Sequence, residues 1–149
     1  MKKNESMKDA PDKLGRYELI RPVGHGGFAI VYLGRDPYIN RAVALKVSEK
    51  EDTQRHHAML QRLFQEAEAA GSLLHPNIVT IYDVGLEDNF CYIAMEYVEG
   101  ITLHRHSTPD KLLPIADAID VVIKVCHALD FAHQRDVIHR DVKPSNILL

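Results

Sequence analysis

Two cysteines, Cys91 and Cys126, are all that this 149-residue sequence holds. Both lie in apolar runs without metal-ligand spacing, which argues against a disulfide scaffold or a thiolate metal centre and for two buried, reduced thiols. Long hydrophobic stretches are also missing. No run of about 18 apolar residues offers a membrane span, and residues 1–13 (MKKNESMKDAPDK) lack the apolar core of a signal peptide. A soluble, cytoplasmic chain with a disordered leader over 1–13 is expected. Nor does one sign of charge dominate: 18 Lys and Arg against 21 Asp and Glu leave −3. No basic block exists, which excludes a surface tracking nucleic-acid phosphates. The remaining composition, 46% hydrophobic and 26% charged, is that of a globular chain able to bury one good core.

From Tyr17 the pattern becomes regular. Segments 17–23, 29–35 and 41–48 are rich in β-branched and aromatic residues and are separated by 24–27 and 36–40, which predicts three antiparallel strands. In the third, Val43, Leu45 and Val47 share one face, and Ala42, Ala44 and Lys46 the other. Residues 52–74 predict a helix, with Met59, Leu63, Ala67, Ala70 and Leu74 at three- and four-residue steps and Gly71 near its end. His75-Pro76-Asn77 breaks it. Two more strands are expected at 78–84 and 90–97 around a turn at 85–89. A long helix over 114–134 follows, striped by Ile115, Ile119, Val122, Cys126 and Leu129. A polar loop over 137–146 comes last.

Three motifs carry chemistry. Gly24-His25-Gly26-Gly27-Phe28-Ala29-Ile30-Val31 lies between two strands, where glycines let backbone N–H groups approach a phosphate; a plain hairpin turn fits the same residues. A strand follows it, which excludes the dinucleotide fingerprint that opens a helix. In Val43-Ala44-Leu45-Lys46, a lysine amid apolar neighbours needs a carboxylate partner. Glu66 and Glu68 are candidates, and Glu66 is nearer the apolar stripe. His139-Arg140-Asp141-Val142-Lys143-Pro144-Ser145-Asn146 packs a proton acceptor, a cation and an amide into one loop.

In this order and in these strand, helix and loop contexts, the motifs resemble the eukaryotic-type protein kinase family, from Tyr17 to Leu149. Lys143 two positions after Asp141 is similar to the serine/threonine type, and Gly-Gly-Phe-Ala with His-Pro-Asn-Ile-Val is similar to bacterial members. The resemblance implies an α+β fold. Its five-stranded antiparallel sheet and one helix form an N-lobe with hinge (14–98), and 99–149 form part of a helical C-lobe. It implies ATP and Mg²⁺, and a protein substrate with a Ser or Thr acceptor. By resemblance, Gly24, Gly26, Gly27 and Ala29 cover the phosphates, Ala29 standing where the family has its third glycine. Lys46 holds the α- and β-phosphates and pairs with Glu66. Val31 and Ala44 pack on the adenine from above and Leu148 from below. Met95 is the gatekeeper before the hinge of Glu96, Tyr97 and Val98. Asp141 orients the acceptor hydroxyl and takes its proton, Lys143 steadies the γ-phosphate, and Asn146 ligates Mg²⁺. His139 and Arg140 are architectural.

The family's Asp-Phe-Gly, activation loop and Ala-Pro-Glu are not among these 149 residues. The chain alone is therefore expected to be inactive or nearly so, with an uncovered C-lobe face that favours self-association. A binding-class alternative is a non-catalytic nucleotide-sensing or scaffolding fragment. A metal protein built on His56-His57 or His104-Arg105-His106 is disfavoured, because neighbours point to different sides of a helix.

Overall fold

A computed structural model describes residues 11–26, 29–49, 67 and 71–149. They fall into two compact units, one around a sheet and one made of Ser72–Thr80 with Val98–Leu149. Nearly all of the helix expected over 52–74, Glu66 and Glu68 included, lies outside the described residues.

The sheet unit has six strands: β1 (Lys13–Leu14), β2 (Tyr17–His25), β3 (Ile30–Asp36), β4 (Arg41–Glu49), β5 (Ile81–Glu87) and β6 (Phe90–Glu96). All neighbours are antiparallel, in the order β1-β2-β3-β4-β6-β5. The expected five strands are joined by β1, two residues long and without an alternating pattern to reveal it. Lys13, at the end of the expected leader, pairs with Glu18 in the ladder, and Leu14 is 1% exposed.

Alternation decides which face is buried. Val43, Leu45 and Val47 of β4 lie in one core cluster with Leu14, Tyr17, Tyr92 and Ala94. Burying side chains of this size is worth roughly 1.5–3 kcal/mol each. Tyr17 reaches this core with its hydroxyl donating to Asp83 Oδ2 at 3.2 Å and its ring edge-on to Tyr92. Burial, helped by the Asp83 charge, pushes the Tyr17 phenol up to about 12.

The hairpin between β5 and β6 differs from expectation. Its turn is Asp88–Asn89, not 85–89, and the strand expected over 78–84 runs three residues later. Gly85 is a strand residue facing Tyr92, and a Cβ there would run into the Tyr92 ring. A glycine read as punctuation is in fact space for an aromatic.

In the second unit a long helix, α1 (Ile115–His133), matches the expected 114–134 once its caps Pro114 and Gln134 are included. Proline just before the first turn donates no N–H where no intrahelical acceptor exists. At the other end Arg135 donates to the Phe131 carbonyl at 3.1 Å, and Asp136 turns the chain away with φ of 60°. Ala128 and Ala132 form the buried face, with Ala118, Val121 and Val125 half-buried beside them. His75 packs on Phe131 with ring centroids 5.0 Å apart.

The expected stripe is a neighbouring face, half-buried at Leu129 and otherwise exposed, as a face without cover should be. Ile115, Ile119 and Val122 are 81%, 54% and 59% exposed, and Cys126 is exposed too, so only Cys91 is a buried thiol. Leu74, assigned to the earlier apolar stripe, is exposed; its neighbour Leu73 is buried instead.

Candidate active site

The antiparallel register gathers several predicted residues on the face of the sheet opposite Val43, Leu45 and Val47. Gly24, Val31, Lys46 and Ile93 form one cross-strand row, and Leu33, Ala44 and Met95 the next. Ala44 is buried, Val31 and Met95 are half-buried, and Lys46 is exposed. An apolar strip ending in an ammonium suits a flat heterocycle with an anionic tail. The expected Lys46–Glu66 pair lies outside the described residues because Glu66 does.

At the glycine-rich turn between β2 and β3, Gly26 donates its N–H to the Ala29 carbonyl at 2.8 Å, closing the hairpin. That donor is engaged, so a phosphate there must displace Ala29 or use other N–H groups; Gly27 and Phe28 lie outside the described residues.

Glu96 ends β6, and Tyr97 leads out of the sheet unit. Val98 opens the second stretch of the other unit. There Leu148 forms a bridge with Thr102, flanked by Leu103 N–H to Ile147 O at 2.8 Å and Leu149 N–H to Ile101 O at 2.9 Å. Gly100 allows this pairing, since a Cβ on it would strike the Leu149 carbonyl. The sequence reading passed over Gly100, because nothing local announces a carbonyl arriving from 49 residues away.

In the loop of residues 139–146 three predicted residues converge. Lys143 Nζ lies 2.7 Å from Asp141 Oδ2. Asn146 Nδ2 donates to the same Oδ2 at 3.0 Å and to the Asp141 carbonyl at 2.8 Å. Local backbone produces this geometry. Arg140 adopts φ of 60°, Asp141 N–H donates to His139 Nδ1 at 3.2 Å, and Lys143 is extended before the 3-10 turn Pro144–Asn146. Proline at the first position of that turn supplies a preset φ and no spare donor. The Lys143 ammonium first, and the Asn146 amide second, hold the Asp141 carboxyl below its usual range. The group is fully exposed, so solvent screens these contacts.

A carboxylate ionised at neutral pH and aimed by two donors can accept a hydrogen bond from an approaching hydroxyl. Lys143 adds a cation for a nearby phosphate. Both side-chain bonds of Asn146 use its amide nitrogen, which leaves Oδ1 as a hard oxygen donor. That donor suits Mg²⁺, an ion that takes few protein oxygens and completes its shell with phosphate and water. Among the described residues no group of three His, Cys, Asp or Glu side chains assembles as a metal site.

Known proteins resemble this chain over most of its length. The family described as "Protein kinase domain" matches residues 17–149. The serine/threonine-protein kinase PrkC of Bacillus subtilis is 44% identical over 135 residues, covering 91% of this chain and 21% of PrkC. PknB of Mycobacterium leprae, also a serine/threonine-protein kinase, is 42% identical over 147 residues, covering 96% of this chain and 24% of PknB. The chain thus spans a fifth to a quarter of the length of these curated relatives. The crystal structure of the Mycobacterium tuberculosis PknI kinase domain superposes with a TM-score of 0.76 at 35% identity, over 90% of this chain and 54% of that one. The chain belongs to the eukaryotic-type protein kinase family, among its bacterial serine/threonine members.

Proposed function

We propose that this chain carries the nucleotide-binding and catalytic-loop residues of an enzyme that transfers the γ-phosphoryl group of ATP to Ser or Thr hydroxyls of proteins. The observation supporting this most strongly is the meeting of Lys143 and Asn146 at one oxygen of Asp141. Asp141 aligns the acceptor hydroxyl and takes its proton, and Lys143 holds the transferring phosphoryl group. Asn146 offers Oδ1 to Mg²⁺. When bound, that ion neutralises charge on the phosphates. Lys46, paired with Glu66, holds the α- and β-phosphates beneath Gly24, Gly26, Gly27 and Ala29. Val31, Ala44 and Leu148 pack on the adenine, Met95 limits the space behind it, and the backbone of Glu96 and Val98 bonds its edge. Positioning and fixed charge account for most of the rate in such a scheme.

The 149 residues contain no Asp-Phe-Gly, so by themselves they are expected to bind nucleotide with little or no transfer. Thermal-shift titration with ATP tests the nucleotide site. A shift enlarged by Mg²⁺ and abolished by Lys46→Met is expected; a shift indifferent to metal favours the non-catalytic binding reading. Whatever transfer to a Ser/Thr-containing protein is measurable with radiolabelled ATP is expected to vanish in Asp141→Asn. Transfer surviving that substitution overturns the role given to Asp141. No helix among the described residues is long and apolar enough to cross a membrane.

A further inference from the structure

Away from the catalytic loop, the segment leading into α1 holds an open depression of about 430 Å³ lined by Ile101, Arg105, His106, Lys111, Leu112, Leu113 and Pro114. Its floor and walls are apolar, and its charged lining is entirely basic. Of residues 100–116 only Asp110 is acidic, and it lies outside the lining. Glu99 and Asp117 flank this stretch, so the basic character belongs to the lining itself.

The walls are held in place before any partner arrives. His106 Nδ1 lies 2.7 Å from the Lys111 carbonyl, and Lys111 N–H donates to the Thr108 carbonyl at 2.9 Å. Lys111 is thereby fixed at both backbone groups, and the 3-10 turn Leu103–His106 is tied to the turn after it. Meanwhile Leu112 stays 64% and Ile101 48% exposed, so apolar surface stands in water beside two permanent cations. Preorganised apolar surface with cations of one sign selects partners by charge and retains them by burial.

We propose that this depression docks an acidic segment of a protein partner. An apolar side chain of the partner seats among Ile101, Leu112, Leu113 and Pro114, while flanking carboxylates pair with Arg105 and Lys111. A volume of this order accommodates one large aliphatic or aromatic side chain with its backbone. That the partner is a protein to be phosphorylated rests on the phosphoryl-transfer reading; the preference for acidic, apolar sequence does not.

Fluorescence anisotropy of the full chain with a short fluorescein-labelled peptide of alternating glutamate and leucine, in the absence of ATP, is the test. Saturable binding is expected, weakened about tenfold or more by Arg105→Glu with Lys111→Glu and by raising salt, as for pairs at an interface rim. Leu112→Ala, a change on an exposed side chain, should weaken it as well, and Asp110→Asn should tighten it. Equal binding of an all-glutamate peptide would show simple charge attraction and overturn the pocket. Preference for a lysine–leucine peptide, or affinity unchanged in the double variant with its circular dichroism intact, would overturn the proposal too. Because binding is read without nucleotide, loss of phosphoryl transfer and loss of docking are separately visible.

Discussion

The two units of this chain solve the problem of order differently. In the sheet unit, side chains from β1, β2, β4 and β6 close on a common core, and Tyr17, Val43, Leu45 and Ala94 are 0% exposed. In the second unit only Leu73, Ala128 and Ala132 are buried hydrophobics among the described residues, while Ile115, Ile119, Val122 and Ile123 stand in solvent. The sheet is shaped by what it buries. The loop of residues 139–146, every residue of which is exposed, is shaped by hydrogen bonds it makes to itself.

Core truncation should separate the units most sharply. Leu45→Ala removes a fully buried side chain and is expected to cost about 2–5 kcal/mol in urea denaturation. Ile115→Ala, on a side chain 81% exposed, is expected to change stability by no more than about 0.5 kcal/mol. Similar losses at both sites would mean that the helix face is covered. Glycine substitutions give the next effect. Gly85→Ala forces the Tyr92 ring to move and should cost about 1–3 kcal/mol. Gly71→Ala meets nothing within 4 Å and should stabilise by about 0.5–1 kcal/mol.

The smallest effect is expected with pH. The Tyr17 phenol is raised from 10.0 to about 12 by burial first and the Asp83 charge second. Folding therefore favours its neutral form. The stabilisation is complete below pH 10, falls as pH climbs toward 12, and is lost above. Thermal melts across that window should show a fall in Tm that is shallower in Tyr17→Phe. An identical fall in the variant would move the cause to another group.

Much of the sheet was legible because a strand with one buried face writes its geometry into alternate residues: Val43, Leu45 and Val47 read as one face and share one core. The α1 limits were legible from Pro114 and from the end of the apolar period near Gln134. What failed had non-local causes. Gly85 reads as a turn until Tyr92 is placed opposite it. Lys13 reads as the end of a polar leader until Glu18 pairs with it across the ladder. The apolar face bearing Ile119, by contrast, reads as one without cover in these 149 residues, and it stands in solvent. Within the site, Asp141, Lys143 and Asn146 were legible together, being five residues apart at most. Lys46 with Val31, Ala44 and Met95 needed the strand register to become neighbours.

The pair of hydrogen bonds that the Asn146 amide donates to the Asp141 carbonyl and carboxylate has a corollary for how such a site can change over generations. A constellation braced across six positions travels as one cassette. Insertions on either side leave its angles intact, whereas one inserted residue between Asp141 and Asn146 disassembles it. Tolerance to length variation should therefore drop abruptly at those two residues and recover immediately outside them.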